Sequence, residues 1–173
     1  MAALLHDADD SKLFTGNNYV NARTILKENS VDETTIEKII HIIKQVAYKG
    51  TSSIVPDTIE GQIVQDADRL DAMGAVGIAR TFAYGGSKGI SMYDPDILPK
   101  RKMSGKEYSA HNGTSLNHFE EKLFKLKKLM NTSAAKRMAE EKDKFLHDFF
   151  NTFIDECSEL NTNKKKKASL RLE

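Results

Sequence analysis

Apolar residues recur along the chain at spacings of three and four far more often than in strict alternation, which is the period of amphipathic helices rather than strands. The clearest stripe is Ile36, Ile39, Ile40, Ile43 and Val46. It predicts a helix that starts near Asp32 or Thr34, runs to about Tyr48 and is followed by Gly50. Upstream, Ala3, Leu4 and Leu5 directly precede His6 and Asp7, so residues 1–8 read as the last turns of a buried helix. A polar stretch containing Gly16, Asn17 and Asn18 leads into a short helix over 19–28, closed by Asn29 and Ser30.

After a loop over 50–56, Asp57 is placed to cap a helix. Its apolar positions are Ile59, Ile63, Val64, Ala67 and Leu70, with Gln65, Asp66, Asp68 and Arg69 on the remaining faces. Ala72, Gly74, Ala75, Gly77 and Ala79 then predict a helix that approaches its neighbours closely and breaks at Gly85 and Gly86. Residues 87–113 show little periodicity, include Pro95 and Pro99, and predict a long surface loop. Leu116, Phe119, Leu123, Leu126 and Met130 mark one face of a helix over 114–130, and a last helix spans 133–159. The pattern describes an all-α fold with one helical domain over 1–160 and a basic, disordered tail over 161–173.

Composition narrows the class. With 173 residues, 39% of them hydrophobic and 29% charged, the chain suits one globular domain and is too short for two full cores. No apolar run approaches the ~18 residues that span a bilayer, and the opening MAALLHDADD lacks the apolar stretch of a signal peptide, so no membrane partner is expected. Cys157 is the one cysteine: it has no internal disulfide partner, no CxxC spacing for zinc, and no histidine spaced to activate it. A cysteine nucleophile is therefore rejected, and a reducing, cytoplasmic location is expected. The net charge of +1 provides no global field for nucleic acid, and the run Lys164 to Lys167 reads as a solvated terminus.

The chemistry-bearing residues sit in two short segments. His6 followed by Asp7 at a helix end offers adjacent nitrogen and carboxylate ligands to one divalent cation. Asp66, Asp68 and Asp71 lie within QDADRLDA. At ~100° per residue, Asp66 and Asp68 point ~160° apart, so the three carboxylates cannot share one pocket. Asp68 is the better ligand, while Asp66 and Asp71 read as solvated or paired with Arg69.

LLHDADD and VQDADRLDAMGAVGIARTFAYGG resemble the second and third metal-binding elements of the HD-domain superfamily of metal-dependent phosphohydrolases, in its small bacterial-type subgroup. The resemblance continues through LNHFEEKLFKLKKLMNT and covers most of the chain. It implies a compact helical bundle in which His6, Asp7 and Asp68 ligate a divalent ion (Mn, Mg, Fe, Co or Ni) and Asp7 and Asp68 are catalytic. The resemblance implies a metal-activated water that attacks a phosphate ester or anhydride, with a nucleotide as the expected substrate. Lys49, Arg69, Arg80, His118 and Lys122 are the candidates for binding substrate, with Lys125 beside them. His118 and Lys122, like Arg80 and Tyr84, are four apart and share a helix face. The superfamily's first histidine lies upstream of the His-Asp pair, so this reading makes the bundle N-terminally incomplete and places His41 as a pocket-lining residue. The competing expectation is a catalytically impaired remnant that binds metal or nucleotide or serves as an interaction module. A third expectation is a complete enzyme cut short of its first helix, in which case apolar surface on Ala2, Leu4 and Leu5 would lower stability or favour a homo-oligomer.

Overall fold

The structure, a computed structural model, describes residues 1–10, 14, 16, 18–111 and 113–169, excluding the side chains of Ser109 and of residues after Ser158. Every regular element among these residues is helical. Helices α1 (Ala2–Leu5), α2 (Val20–Glu28) and α3 (Glu33–Val46) form the first half, with α1 and α2 packed on α3. Asp32 is extended at the N-cap of α3, and its carboxylate accepts the Thr35 N–H at 3.0 Å. The predicted stripe on α3 is buried, and its four isoleucines make one core with Ala2, Ala22 and Leu26. The expected buried helix at the N-terminus is a single turn: Ala2 is buried, whereas Leu4 is 88% exposed.

Helix α4 (Ile59–Asp71) departs from its expected orientation. Thr58, not Asp57, caps it by accepting the Gly61 N–H at 3.1 Å. Ile59 and Ile63 are exposed, and the inward face carries Gly61, Gln65, Asp66 and Arg69. The reason is hydrogen bonding. Backbone groups of the turns around α4 need partners inside the protein, and Gln65 donates to the Gln45 and Ile54 carbonyls at 2.7 and 3.0 Å.

Helix α5 (Gly74–Ser87) runs through Gly85 and Gly86 instead of breaking there, and the chain leaves it at Gly89, whose φ is +67°. Two glycines within α5, Gly77 and Gly85, serve close approach. A Cβ on Gly77 would strike the Ala72 carbonyl, and one on Gly85 would strike the Ser115 hydroxyl. The region expected to be an irregular loop contains α6 (Gly105–Ala110), started by a capping box between Ser104 and Glu107. The expected helix over 114–130 is a composite of a π-helical turn (Phe119–Leu123), one α-helical turn, α7 (Phe124–Leu126), and a 3-10 turn (Lys127–Leu129). Its five apolar positions are all buried, and the wider π turn also places Glu121 inward.

The last helix, α8 (Ser133–Ser169), packs on α4 and α5. Its backbone continues past the expected end into the lysine run, and residues 170–173 of the basic tail lie outside the described residues. Phe119, Phe149, Phe82 and Phe153 interlock in a second core, with Phe119 stacked on Phe149 at 5.8 Å and Phe82 on Phe153 at 5.8 Å. Val64 of α4 packs against the first core and Leu70 against the second, so α4 joins the two. No helix among the described residues is long and apolar enough to cross a membrane.

Candidate metal and substrate site

The end of α1 meets the last turns of α4, and this junction brings His6, Asp7 and Asp68 together. The His6 ring donates from Nδ1 to the Ala3 carbonyl at 2.9 Å, because a carbonyl can only accept. Its other nitrogen, Nε2, faces the Asp7 carboxylate at 3.3 Å and the Asp68 carboxylate at 3.5 Å. In a neutral imidazole that nitrogen carries a lone pair, and a lone pair set against two carboxylates is stable only when a proton or a cation neutralises them. A backbone carbonyl fixing the far nitrogen of the ring is the usual support of a metal-ligating histidine. Nitrogen and carboxylate donors of this kind suit divalent first-row metals and Mg. Among the described residues no group of three or more His, Cys, Asp or Glu side chains is arranged to hold a metal ion. His6, Asp7 and Asp68 meet pairwise on a side open to solvent, where the Asp7 side chain is 75% exposed.

The other carboxylates of α4 have separate roles. Asp66 is buried and accepts three hydrogen bonds: the Asn131 N–H at 2.8 Å, the Asn131 side-chain amide at 2.9 Å and the Thr132 N–H at 2.8 Å. It pairs with the chain entering α8, not with solvent. Asp71, the last residue of α4, pairs with Arg80 of α5, so Arg80 is engaged there. Arg69 is 3% exposed and donates to the Leu129 carbonyl. Burial holds its guanidinium below the usual arginine range, opposed by the nearby Asp66 and Asp68 charges.

Lys122 and His118 each lie against one of a pair of packed tyrosines. Lys122 lies over the Tyr48 ring at 5.5 Å, Tyr48 meets Tyr108 edge-on at 5.2 Å, and the Tyr108 and His118 rings are 6.3 Å apart. Burial raises the hydroxyl pKa of both Tyr48 and Tyr108, most strongly at Tyr108, so both are neutral phenols. Lys49 is exposed, with no ion pair among the described residues. His41 stands apart from this group: its Nε2 donates to the Asp57 carboxylate at 2.9 Å, which holds Asp57 below the usual carboxylate range.

The sequence reading passed over Tyr48, Tyr108, His111 and Glu121. Glu121 accepts from His111 Nε2 at 2.8 Å and from the Lys100 N–H at 3.0 Å. A usable signal was Ser104 followed three residues later by Glu107, which marks the start of the helix that presents Tyr108.

Comparison with known proteins places this geometry in a family. No family model matches the chain. The Bacillus subtilis protein YpgQ is 38% identical over 157 residues, spanning 86% of this chain and 66% of its own length, so the chain spans just under two thirds of that relative. A crystal structure from Lactobacillus plantarum superposes with a TM-score of 0.80 at 38% identity, covering 91% of this chain and 73% of that one. An HD-superfamily hydrolase from Bacillus thuringiensis does so with a TM-score of 0.62 at 44% identity, covering 91% and 71%. The chain belongs to the HD superfamily. YpgQ has also been solved in complex with ADP, at a TM-score of 0.68 and 33% identity, covering 90% of this chain and 73% of that one.

Proposed function

We propose that this protein is a metal-dependent phosphohydrolase acting on a phosphate ester or anhydride of a nucleotide, with His6, Asp7 and Asp68 as the metal ligands. The observation that carries this reading is His6 Nε2 directed at two carboxylates, with Nδ1 tied to the Ala3 carbonyl. That YpgQ was solved with ADP supports a nucleotide as substrate. A divalent cation in such a site lowers the pKa of its water and neutralises phosphate oxygens. Asp7, the more exposed carboxylate, is positioned to accept the proton of an attacking water. Lys122 would present positive charge to the phosphate oxygens from the composite helix, and His118, just before it, a hydrogen bond. Arg69 acts from the interior by setting the field at Asp68.

The test couples elemental analysis of the purified protein with phosphate and pyrophosphate release over a nucleotide panel with added Mn. Bound metal with turnover is the expected result. His6→Ala and Asp68→Ala should each lower turnover by more than about a hundredfold and reduce metal content, with the circular dichroism spectrum retained. Unchanged hydrolysis in both variants would refute the site. Metal and nucleotide binding without turnover would instead favour a binding module.

A further inference from the structure

Residues 100–111 form a strap against the composite helix, and a single buried atom holds both of its ends. Glu121 Oε1 accepts the Lys100 N–H at 3.0 Å and the His111 Nε2 proton at 2.8 Å. The π turn places Glu121 inward, 4% exposed, where a carboxylate needs its donors. Such turns inside helices recur at functional positions. Gly113, just past the strap, leaves room for this clasp: a Cβ there would lie 3.0 Å from His111 Nε2 and 3.2 Å from Glu121 Oε1.

The two ends are held differently. Around Lys100 the main chain itself is tied down: the Asn117 amide donates to the Ile97 carbonyl at 2.8 Å and the Lys125 ammonium to the Arg101 carbonyl at 2.5 Å. The Met103 carbonyl accepts the N–H of Thr51, in the 3-10 turn Gly50–Ser52, at 2.9 Å. At the far end the bond to Glu121 comes from the His111 imidazole, a side chain that can swing away without disturbing the composite helix. Between the ends, α6 carries Tyr108, which meets Tyr48 edge-on at 5.2 Å and lies 6.3 Å from His118. Lys122 lies over that same Tyr48 ring, and both Lys122 and His118 are half-buried. The strap therefore stands against the two side chains of the composite helix that would meet a phosphate.

We propose that the strap is a lid over Lys122 and His118, anchored near Met103 and released at its far end when His111 leaves Glu121, with Glu121 as its positioning residue. It rests on the hydrolase reading for what the lid admits, and its motion is read without metal or substrate. The full chain in EDTA is treated with a small amine-acetylating reagent, and labelling is followed by mass spectrometry. His111→Ala should speed Lys122 acetylation, and deuterium exchange over 104–111, each by at least about tenfold. Exchange over α3 and labelling of the exposed Lys144 should match the parent, as should the circular dichroism spectrum. A second variant closes the lid. A Cβ on Gly105 lies 3.4 Å from the Lys49 Cβ, near the about 3.8 Å typical of disulfides, so Gly105→Cys with Lys49→Cys, in a Cys157→Ser background, should cross-link. Oxidised, this variant should acetylate Lys122 at least about tenfold more slowly than in its own reduced form, and Mn-supported turnover should fall on oxidation and return with dithiothreitol. Lys122 labelling at the parent rate in His111→Ala, labelling equal in the oxidised and reduced forms, or turnover unchanged by oxidation overturns the lid. A parent in which the labelling behaves as expected but no nucleotide is hydrolysed overturns the hydrolase reading and not the lid.

Discussion

The side chain of Asp32 shows how much one residue can be asked to do. Its carboxylate accepts from the Thr35 N–H and hydroxyl, and these bonds hold its pKa below the usual carboxylate range. A group with a depressed folded pKa adds stability above its unfolded pKa, and that stability is lost as pH falls through the folded value. Asp32→Ala is therefore expected to lower the urea midpoint at pH 7, with the difference from the parent shrinking below about pH 4. A difference that stays constant down to acid pH would assign the effect to chain entropy instead. His6 makes the same point for function. Its place in the sequence marks it as a ligand type, but only its bond to the Ala3 carbonyl decides which ring nitrogen is available.

At the scale of elements, α5 separates propensity from packing. Alanine is favoured over glycine in a helix by about 1 kcal/mol, so replacing any α5 glycine looks beneficial from the sequence. Gly86 has open space around its Cβ position, and Gly86→Ala should stabilise by about 0.5 to 1 kcal/mol. Gly77→Ala should destabilise by about 1 to 3 kcal/mol, because its Cβ would meet the Ala72 backbone, which cannot step aside as a flexible side chain would. Thermal unfolding of the two variants checks the opposite signs. The same contrast explains the elements that were not legible. Helix α6 is short and held by its cap rather than by an apolar stripe, so periodicity passed over it. In the composite helix, the 3.5-residue spacing of Leu116, Phe119, Leu123, Leu126 and Met130 was read correctly as buried, but periodicity alone does not distinguish a regular α-helix from one widened by a π turn.

Across the whole molecule, α4 ties the halves together through polar groups. Asp66 accepts three hydrogen bonds from the turn before α8, 65 and 66 residues away, in a site 3% exposed. Asp66→Ala would leave those buried donors unpaired and should cost about 3 kcal/mol, read as a lower urea midpoint. An Asp66 variant of parent stability would remove this link. From the sequence alone, Asp66 read as solvated or paired with Arg69, since spacing orders residues around a helix without saying which face meets protein.

The sequence by itself determined the helical class, the α3 stripe and the segments that carry His6, Asp7 and Asp68, because helical periodicity and ligand type are local properties of the chain. Only the tertiary structure decided that α4 buries Gln65, Asp66 and Arg69 while exposing Ile59 and Ile63. It likewise decided that His6 meets Asp68 and that Tyr48 and Tyr108 gather beside Lys122. Those pairings join residues far apart in the chain, and their energies depend on burial and on which hydrogen bonds remain to be made once the two cores have closed.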